Sequence, residues 1–228
     1  MTMSKTADWL IPTGFITLSF VSILASVADM FQIVAAVQTP GNARFLEMPW
    51  PIALHIAGFT IFCIVGAFQF SPGLRRSKPG WHRAAGWLAI PCGLVGAVGS
   101  LWMTLFYSPA TTSPAMFDGP SLYAIRLLAG AAAALFLLLG LKAILRRDIL
   151  LHQAWMMRSY ALALAAGTQV FTHIPWLLFP SIHGELARTL CMAAGWIINL
   201  LVVEILLFWR PDASLKILLD EDPYSCDR

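Results

Sequence analysis

Long runs of apolar residues separated by short polar segments dominate the pattern along this chain. Six of the runs are long enough to cross the roughly 30 Å of hydrocarbon in a bilayer, because a helix rises about 1.5 Å per residue. Helix-breaking segments such as Ser71-Pro72-Gly73 separate them. The pattern therefore predicts six membrane spans, at residues 9–37, 50–70, 81–107, 122–145, 153–178 and 189–209.

Each predicted span is a helix, because an isolated strand in lipid cannot satisfy its own backbone hydrogen bonds. The fold class expected is therefore all-α, a polytopic transmembrane helical bundle. Residues 1–210 would form the bundle, and residues 211–228 would form a cytoplasmic tail that is loosely held rather than bound along the membrane surface.

The composition agrees with a membrane location. Hydrophobic residues make up 58% of the chain and charged residues only 12%, and the mean hydropathy is +0.72. Soluble domains carry about 25% charged residues, so this chain has too little polar surface to remain in water. The net charge of +3 is spread over short loops rather than one basic face. The lipid bilayer is the expected partner, and nucleic acid is not.

The basic residues predict an orientation. One set of loops and ends carries eleven of the fifteen Lys and Arg residues, namely Lys5, Arg75, Arg76, Lys78, Arg83, Lys142, Arg146, Arg147, Arg210, Lys216 and Arg228. The opposite side carries Arg44, Arg126 and Arg188, and Arg158 lies within a span. Because Lys and Arg accumulate on the cytoplasmic side, both termini are predicted to be cytoplasmic. We expect the protein in the cell inner (plasma) membrane.

Histidines within the spans suggest a cofactor. His55 and His173 each lie about five residues from the outer end of a predicted span, so they share a depth in the membrane. Two imidazoles at matched depth on different helices are what bis-histidine ligation of a b-type heme needs. Gln169 precedes His173 by one turn, so its side chain is expected to orient that imidazole. Hydrogen bonds between helices are the alternative role for both histidines.

A second pair of histidines lies at the predicted inner boundary. His82 opens the third span and His152 opens the fifth, so both are further candidates for cofactor binding. The alternative is that they anchor the helix ends at the membrane interface. A heme at each pair is disfavoured, because His152 and His173 lie about 31 Å apart along one helix.

Three charged residues within the spans invite other hypotheses, because a charge at mid-bilayer costs about 2.5–3.5 kcal/mol. Asp29 is expected to pair with Arg126, or else to relay protons. Arg158 is expected to pair with Glu204 or with a lipid phosphate, and the sequence leaves both open.

Two stretches resemble a known family. The first contains Gly66, Gln69, Arg75-Arg76, Trp81-His82-Arg83 and Gly86, and the second is His152-Gln-Ala-Trp155-Met156-Met157-Arg158-Ser159-Tyr160. Over roughly residues 50–208 the chain resembles an uncharacterised bacterial multipass family, domain of unknown function 2306. The resemblance implies a multi-span membrane protein and implies no activity. The arrangement of the histidines is also similar to that of transmembrane diheme cytochromes that reduce ferric iron.

Three functional hypotheses follow. The leading one is electron transfer through a b-type heme or a quinone, with His55 and His173 as metal ligands and a redox partner. The second is a non-catalytic membrane subunit or assembly factor within a membrane complex. The third is a transporter of a small molecule or lipid that uses the region of Asp29. No motif for hydrolysis or phosphoryl transfer occurs in the chain, so no catalytic residue is assigned.

Overall fold

The computed structural model describes residues 5–39, 42–107, 118–179, 181 and 184–209. These residues form helices and no strand, which confirms the all-α class. The helices are α1 (Lys5–Val34), α2 (Ala43–Leu46), α3 (Trp50–Gln69), α4 (Pro72–Ser77), α5 (Pro79–Phe106), α6 (Pro120–Leu145), α7 (Ile149–Thr172), α8 (Ile174–Leu178) and α9 (Glu185–Phe208). Six stretches are long and apolar enough to cross a membrane, as predicted. The predicted tail at 211–228 lies outside the described residues.

Local sequence signals set where several helices begin. The Ser71 hydroxyl caps α4 by accepting a hydrogen bond from the Leu74 amide at 3.2 Å. The Asp148 carboxylate caps α7 in the same way through the Leu151 amide at 3.0 Å. Proline occupies the first turn of α5 and of α6, where no amide donor is needed. These caps satisfy backbone groups that would otherwise lack partners.

The fifth predicted span is interrupted near its end. The sequence predicted one span over residues 153–178 with a candidate kink at Pro175, and in the structure α7 ends at Thr172 and α8 begins at Ile174. Pro175 has no amide hydrogen, so the α7 hydrogen-bond pattern cannot continue through it. His173 lies at this junction, as the cap of both helices.

Helix α7 occupies the centre of the bundle and contacts α1, α3, α6 and α9. Its side chains Tyr160 and Leu164 pack with Phe62 of α3 and Leu137 of α6 in the main buried cluster. The Tyr160 hydroxyl donates to the carbonyl of Cys63 at 2.8 Å. Lipid tails are as apolar as leucine, so such close packing and hydrogen bonds hold membrane helices together.

Helices α3 and α5 approach each other very closely, because glycines face one another at their contact. A Cβ atom at Gly58 would lie 2.5 Å from the Cys92 carbonyl oxygen and 2.7 Å from the Gly96 amide nitrogen. A Cβ atom at Gly96 would lie 2.9 Å from the Phe59 ring. The glycines therefore fix the spacing of two helices that carry candidate site residues.

The bundle has two ends with different polar residues. We call one the Asp118 end, which contains α2, Tyr107, Asp118 and the start of α9. The other is the His82 end, which contains α4, His82 and the start of α7. The charge pattern predicts that the Asp118 end faces outwards and the His82 end faces the cytoplasm, and this orientation stays a prediction.

Candidate functional site

A cavity of about 480 Å³ lies within the bundle at the Asp118 end. Residues of all six long helices and of α2 line it. Its volume lies in the range of about 300–1,000 Å³ that is typical of small-molecule sites. The lining combines apolar side chains, such as Phe59 and Leu162, with several polar and charged ones.

Helix α1 contributes a polar stripe to this cavity. Ser19, Ser22, Ser26 and Asp29 recur at intervals of three and four residues, which places them on one face of a helix. The Ser19 hydroxyl donates to the carbonyl of Phe15 at 2.8 Å. The hydroxyl of Ser22 is buried and has no hydrogen-bond partner among the described residues. Sequence analysis identified Asp29 but missed the serines, although their helical spacing within an apolar span was a visible signal.

His55 lines the cavity from α3. Its Nδ1 atom lies 2.9 Å from the Gly96 carbonyl oxygen of α5, a contact that the close approach of these two helices allows. The ring packs edge-on against Phe59 at 5.0 Å between centroids. A carbonyl partner at Nδ1 favours the tautomer with the proton on that nitrogen, which leaves Nε2 as the atom able to bind a ligand.

His173 lies in a different environment. Its Nδ1 atom lies 2.7 Å from the backbone carbonyl of Gln169, one turn earlier in the same helix. His173 does not line the cavity that His55 lines, whereas Gln169 does. The Gln169 side-chain amide donates to the Met192 carbonyl at 3.0 Å. The prediction that this amide orients His173 is therefore wrong, because the contact is made by the Gln169 backbone.

His82 and His152 both lie at the His82 end, in the first turns of α5 and α7. The Nδ1 atom of His152 lies 2.8 Å from the Gly140 carbonyl of α6. The Nδ1 atom of His82 is buried and has no hydrogen-bond partner within the described part of the chain. Cofactor binding by this pair stays a prediction.

Metal sites with three or more protein ligands require grouped donors. Among the residues described by the structure, no three His, Cys, Asp or Glu side chains form such a group. A heme held by two imidazoles needs only two protein ligands, so this observation concerns zinc-like sites and not heme.

A cluster of charged side chains lies at the Asp118 end, beside the cavity. The Asp118 carboxylate is 2.9 Å from Arg44 Nη1, 3.2 Å from Arg126 Nη1 and 3.4 Å from Arg188 Nη2. Burial of Asp118 by itself raises the pKa of its carboxyl, but the three guanidinium groups outweigh burial and hold the pKa below its ordinary value. The cluster joins α2 to α6 and α9.

This cluster corrects the expected pair of Asp29 and Arg126. Arg126 forms its ion pair with Asp118, and no ion pair among the described residues includes Asp29. Asp29 is instead an exposed residue at the end of the α1 stripe. Asp118 was not a candidate from sequence, because it lies in a loop, where a charge costs little.

The partner of Arg158 is Glu204. The Arg158 guanidinium donates to both Glu204 oxygens, at 2.6 Å from Nε and 2.9 Å from Nη2. It also lies over the Trp155 ring, 4.8 Å from the centroid. These contacts join α7 to α9. They give Trp155 and Arg158, two residues of the stretch that resembles the family, a structural role.

Six apolar spans around a polar cavity define the class of this chain as a multi-span membrane protein. The chain belongs to the family described as predicted membrane protein (DUF2306), which matches residues 52–207. The predicted resemblance is therefore confirmed. No curated protein and no solved structure matches the chain.

Proposed function

We propose that this protein binds a small amphiphilic molecule in the cavity at the Asp118 end and acts as its carrier or transporter. The observation that carries the proposal is the convergence of Asp29, His55 and Arg126 on one cavity within an apolar bundle. Polar groups are expensive to bury in a membrane, so their grouping around an open volume supports a binding role.

The cavity offers a surface for each part of an amphiphile. Phe59 and Leu162 supply apolar wall, while His55 and Arg126 supply hydrogen-bonding groups. The polar stripe of α1 runs from buried Ser19 to exposed Asp29. Helix α1 packs on α3 and α7 and is otherwise largely exposed. A molecule from the bilayer would therefore enter the cavity sideways, along α1.

The test fills the cavity with a side chain. Ala129 lines the cavity on α6, whereas Ala131 of the same helix is exposed on the outer surface. Mass spectrometry of the protein released from neutral detergent would show which small molecules it retains. We expect Ala129→Phe to lose a molecule that the wild type and Ala131→Phe both keep.

Two results would count against this proposal. One is equal retention by Ala129→Phe and the wild type. The other is a wild-type protein that retains nothing and binds no added amphiphile, which would favour the non-catalytic subunit or assembly factor.

A second candidate is electron transfer through a quinone or a b-type heme. The contact of His55 Nδ1 with Gly96 favours it, because an imidazole fixed in this way presents Nε2 for a ligand. His173 does not line the same cavity, so that cavity offers a heme only one of the two predicted ligands. Absorption spectra of the oxidised and reduced protein test the heme. A Soret band lost in both His55→Ala and His173→Ala would favour the heme. A colourless protein from heme-replete cells would remove the heme and leave the quinone as the form of this candidate.

A further inference from the structure

We infer that the cavity selects a ligand with an acidic head group, a carboxylate or phosphate, which Arg126 and Arg44 bind. The inference rests on the proposed binding function and specifies its ligand. The starting observation is that both arginines line the cavity and also belong to the charged cluster around Asp118.

Three guanidinium groups, those of Arg44, Arg126 and Arg188, share the carboxylate of Asp118. Other acids lie at this end: Glu185 accepts a hydrogen bond from the Ser121 amide at 2.9 Å, and Asp29 lines the cavity from α1. Among the ion pairs of the described residues, Arg126 takes part only in the one with Asp118, so a bound anion would compete with a single carboxylate for its donors.

Arg126 has the geometry to bind such an anion. Its Nη1 atom contacts Asp118, and a guanidinium has five N–H donors. The remaining donors suit a carboxylate or phosphate, because a planar guanidinium matches two oxygens of either group. The side chain begins on α6, contacts Asp118 and also lines the cavity.

The lining also indicates what accompanies the acidic group. Ile56, Phe59 and Leu162 form apolar wall that suits a hydrocarbon chain. Asp29 also lines the cavity, from α1, and it would repel an anion. A fatty-acid-like molecule fits these features better than a cationic one.

The experiment titrates the purified protein with matched probes and counts bound molecules by native mass spectrometry in neutral detergent. Dodecanoate, dodecan-1-ol and dodecylamine share a chain and differ in the charge of the head group. Acetate and inorganic phosphate, added as competitors, distinguish a water-soluble anion from an amphiphile. We expect dodecanoate to bind most tightly and acetate to compete poorly.

Variants assign the binding to the arginine. Arg126→Gln is expected to weaken dodecanoate binding by about tenfold to a hundredfold, the usual effect of losing a hydrogen bond to a charged group. Arg126→Lys, which keeps the charge, should retain more of the binding and guards against a folding defect in Arg126→Gln. Asp29→Asn should strengthen binding, because it removes the acid of the cavity wall that repels an anion. Arg146→Gln, an exposed change at the His82 end, is the control and should have no effect.

The outcomes separate the two proposals. Suppose that dodecan-1-ol binds as well as dodecanoate and that Ala129→Phe abolishes the binding of both. The inferred preference for an acidic head group is then wrong, and the proposed binding function is upheld. Preference for dodecylamine, lost in Asp29→Asn, would overturn the inference in favour of a cation. If acetate or phosphate competes as well as dodecanoate, the preference for an acidic group is upheld. The ligand is then a water-soluble anion and not a fatty-acid-like molecule. Binding of no probe contradicts both proposals.

Discussion

Asp118 shows how one residue can organise an end of a membrane bundle. Its side chain is only 7% exposed, and it contacts arginines from three separate segments of the chain. Removing one member of a buried ion-pair network is costly, because the charges left behind lose their partner. The carboxylate of Asp118 therefore stabilises the packing of α2, α6 and α9 at this end.

We predict that Asp118→Asn lowers the free energy of unfolding by roughly 2–5 kcal/mol at pH 7. Because the pKa of Asp118 lies below its ordinary value of 3.8, its contribution is complete above that pH. It is lost as the pH falls through the lowered pKa of the folded protein. The difference in unfolding midpoint between wild type and variant should therefore shrink when the pH is lowered from 7 to 3.

Glu47→Gln supplies the control for this prediction. Glu47 is an exposed acid near the same end, so its replacement should change the midpoint little at either pH. Equal midpoints for wild type and Asp118→Asn at pH 7 would show that the cluster contributes no stability.

At the residue scale, the sequence revealed the groups whose burial in lipid is expensive. Asp29 and His55 were identified for this reason, and both line the cavity. Their partners could not be predicted, since Arg126 bonds an acid from a loop rather than Asp29. Partner choice depends on how the helices rotate about their axes, which a single sequence does not specify.

At the scale of the elements, the contact of α3 with α5 positions His55. Gly58 and Gly96 remove side chains from the contact and so bring the Gly96 carbonyl within reach of the imidazole. Small residues at helix contacts are the usual means of close approach in membranes.

Replacing the glycine at this contact tests its role. We predict that Gly58→Ala lowers the free energy of unfolding by about 1–3 kcal/mol, because the new methyl group would overlap the α5 backbone. Gly86→Ala is the matched control on α5, where an added Cβ meets nothing within 4 Å. It should leave stability unchanged or raise it by up to about 1 kcal/mol. Unfolding midpoints in detergent compare the two, and equal effects would refute the close contact.

The limits of most elements were predictable because run length and breakers determine them. The prediction for the second span, residues 50–70, differs from α3 by one residue. Pro175 marked a candidate kink in the fifth span, but the end of α7 at Thr172 could not be placed from hydropathy, because proline acts on the backbone hydrogen bonds.

At the scale of the whole molecule, the six-span architecture and the family were predictable from the sequence, and both are confirmed. The cavity was not, because apolar residues cover both the lipid-facing and the inward-facing sides of these helices. Only the polar stripe of α1 distinguishes the two sides of that helix. The cytoplasmic location of both termini stays a prediction from the Lys and Arg residues.

Chemical labelling of single cysteines tests most directly whether a polar cavity lies behind α1. The background replaces the native cysteines Cys63, Cys92, Cys191 and Cys226. Ser26 lines the cavity, and its neighbour Val27 is exposed on the apolar surface at the same depth. In lipid nanodiscs, a small charged methanethiosulfonate reagent should modify Ser26→Cys and leave Val27→Cys unmodified, because only the cavity admits water. Modification of Val27→Cys alone, or of neither variant, would contradict a water-accessible cavity inside the bundle.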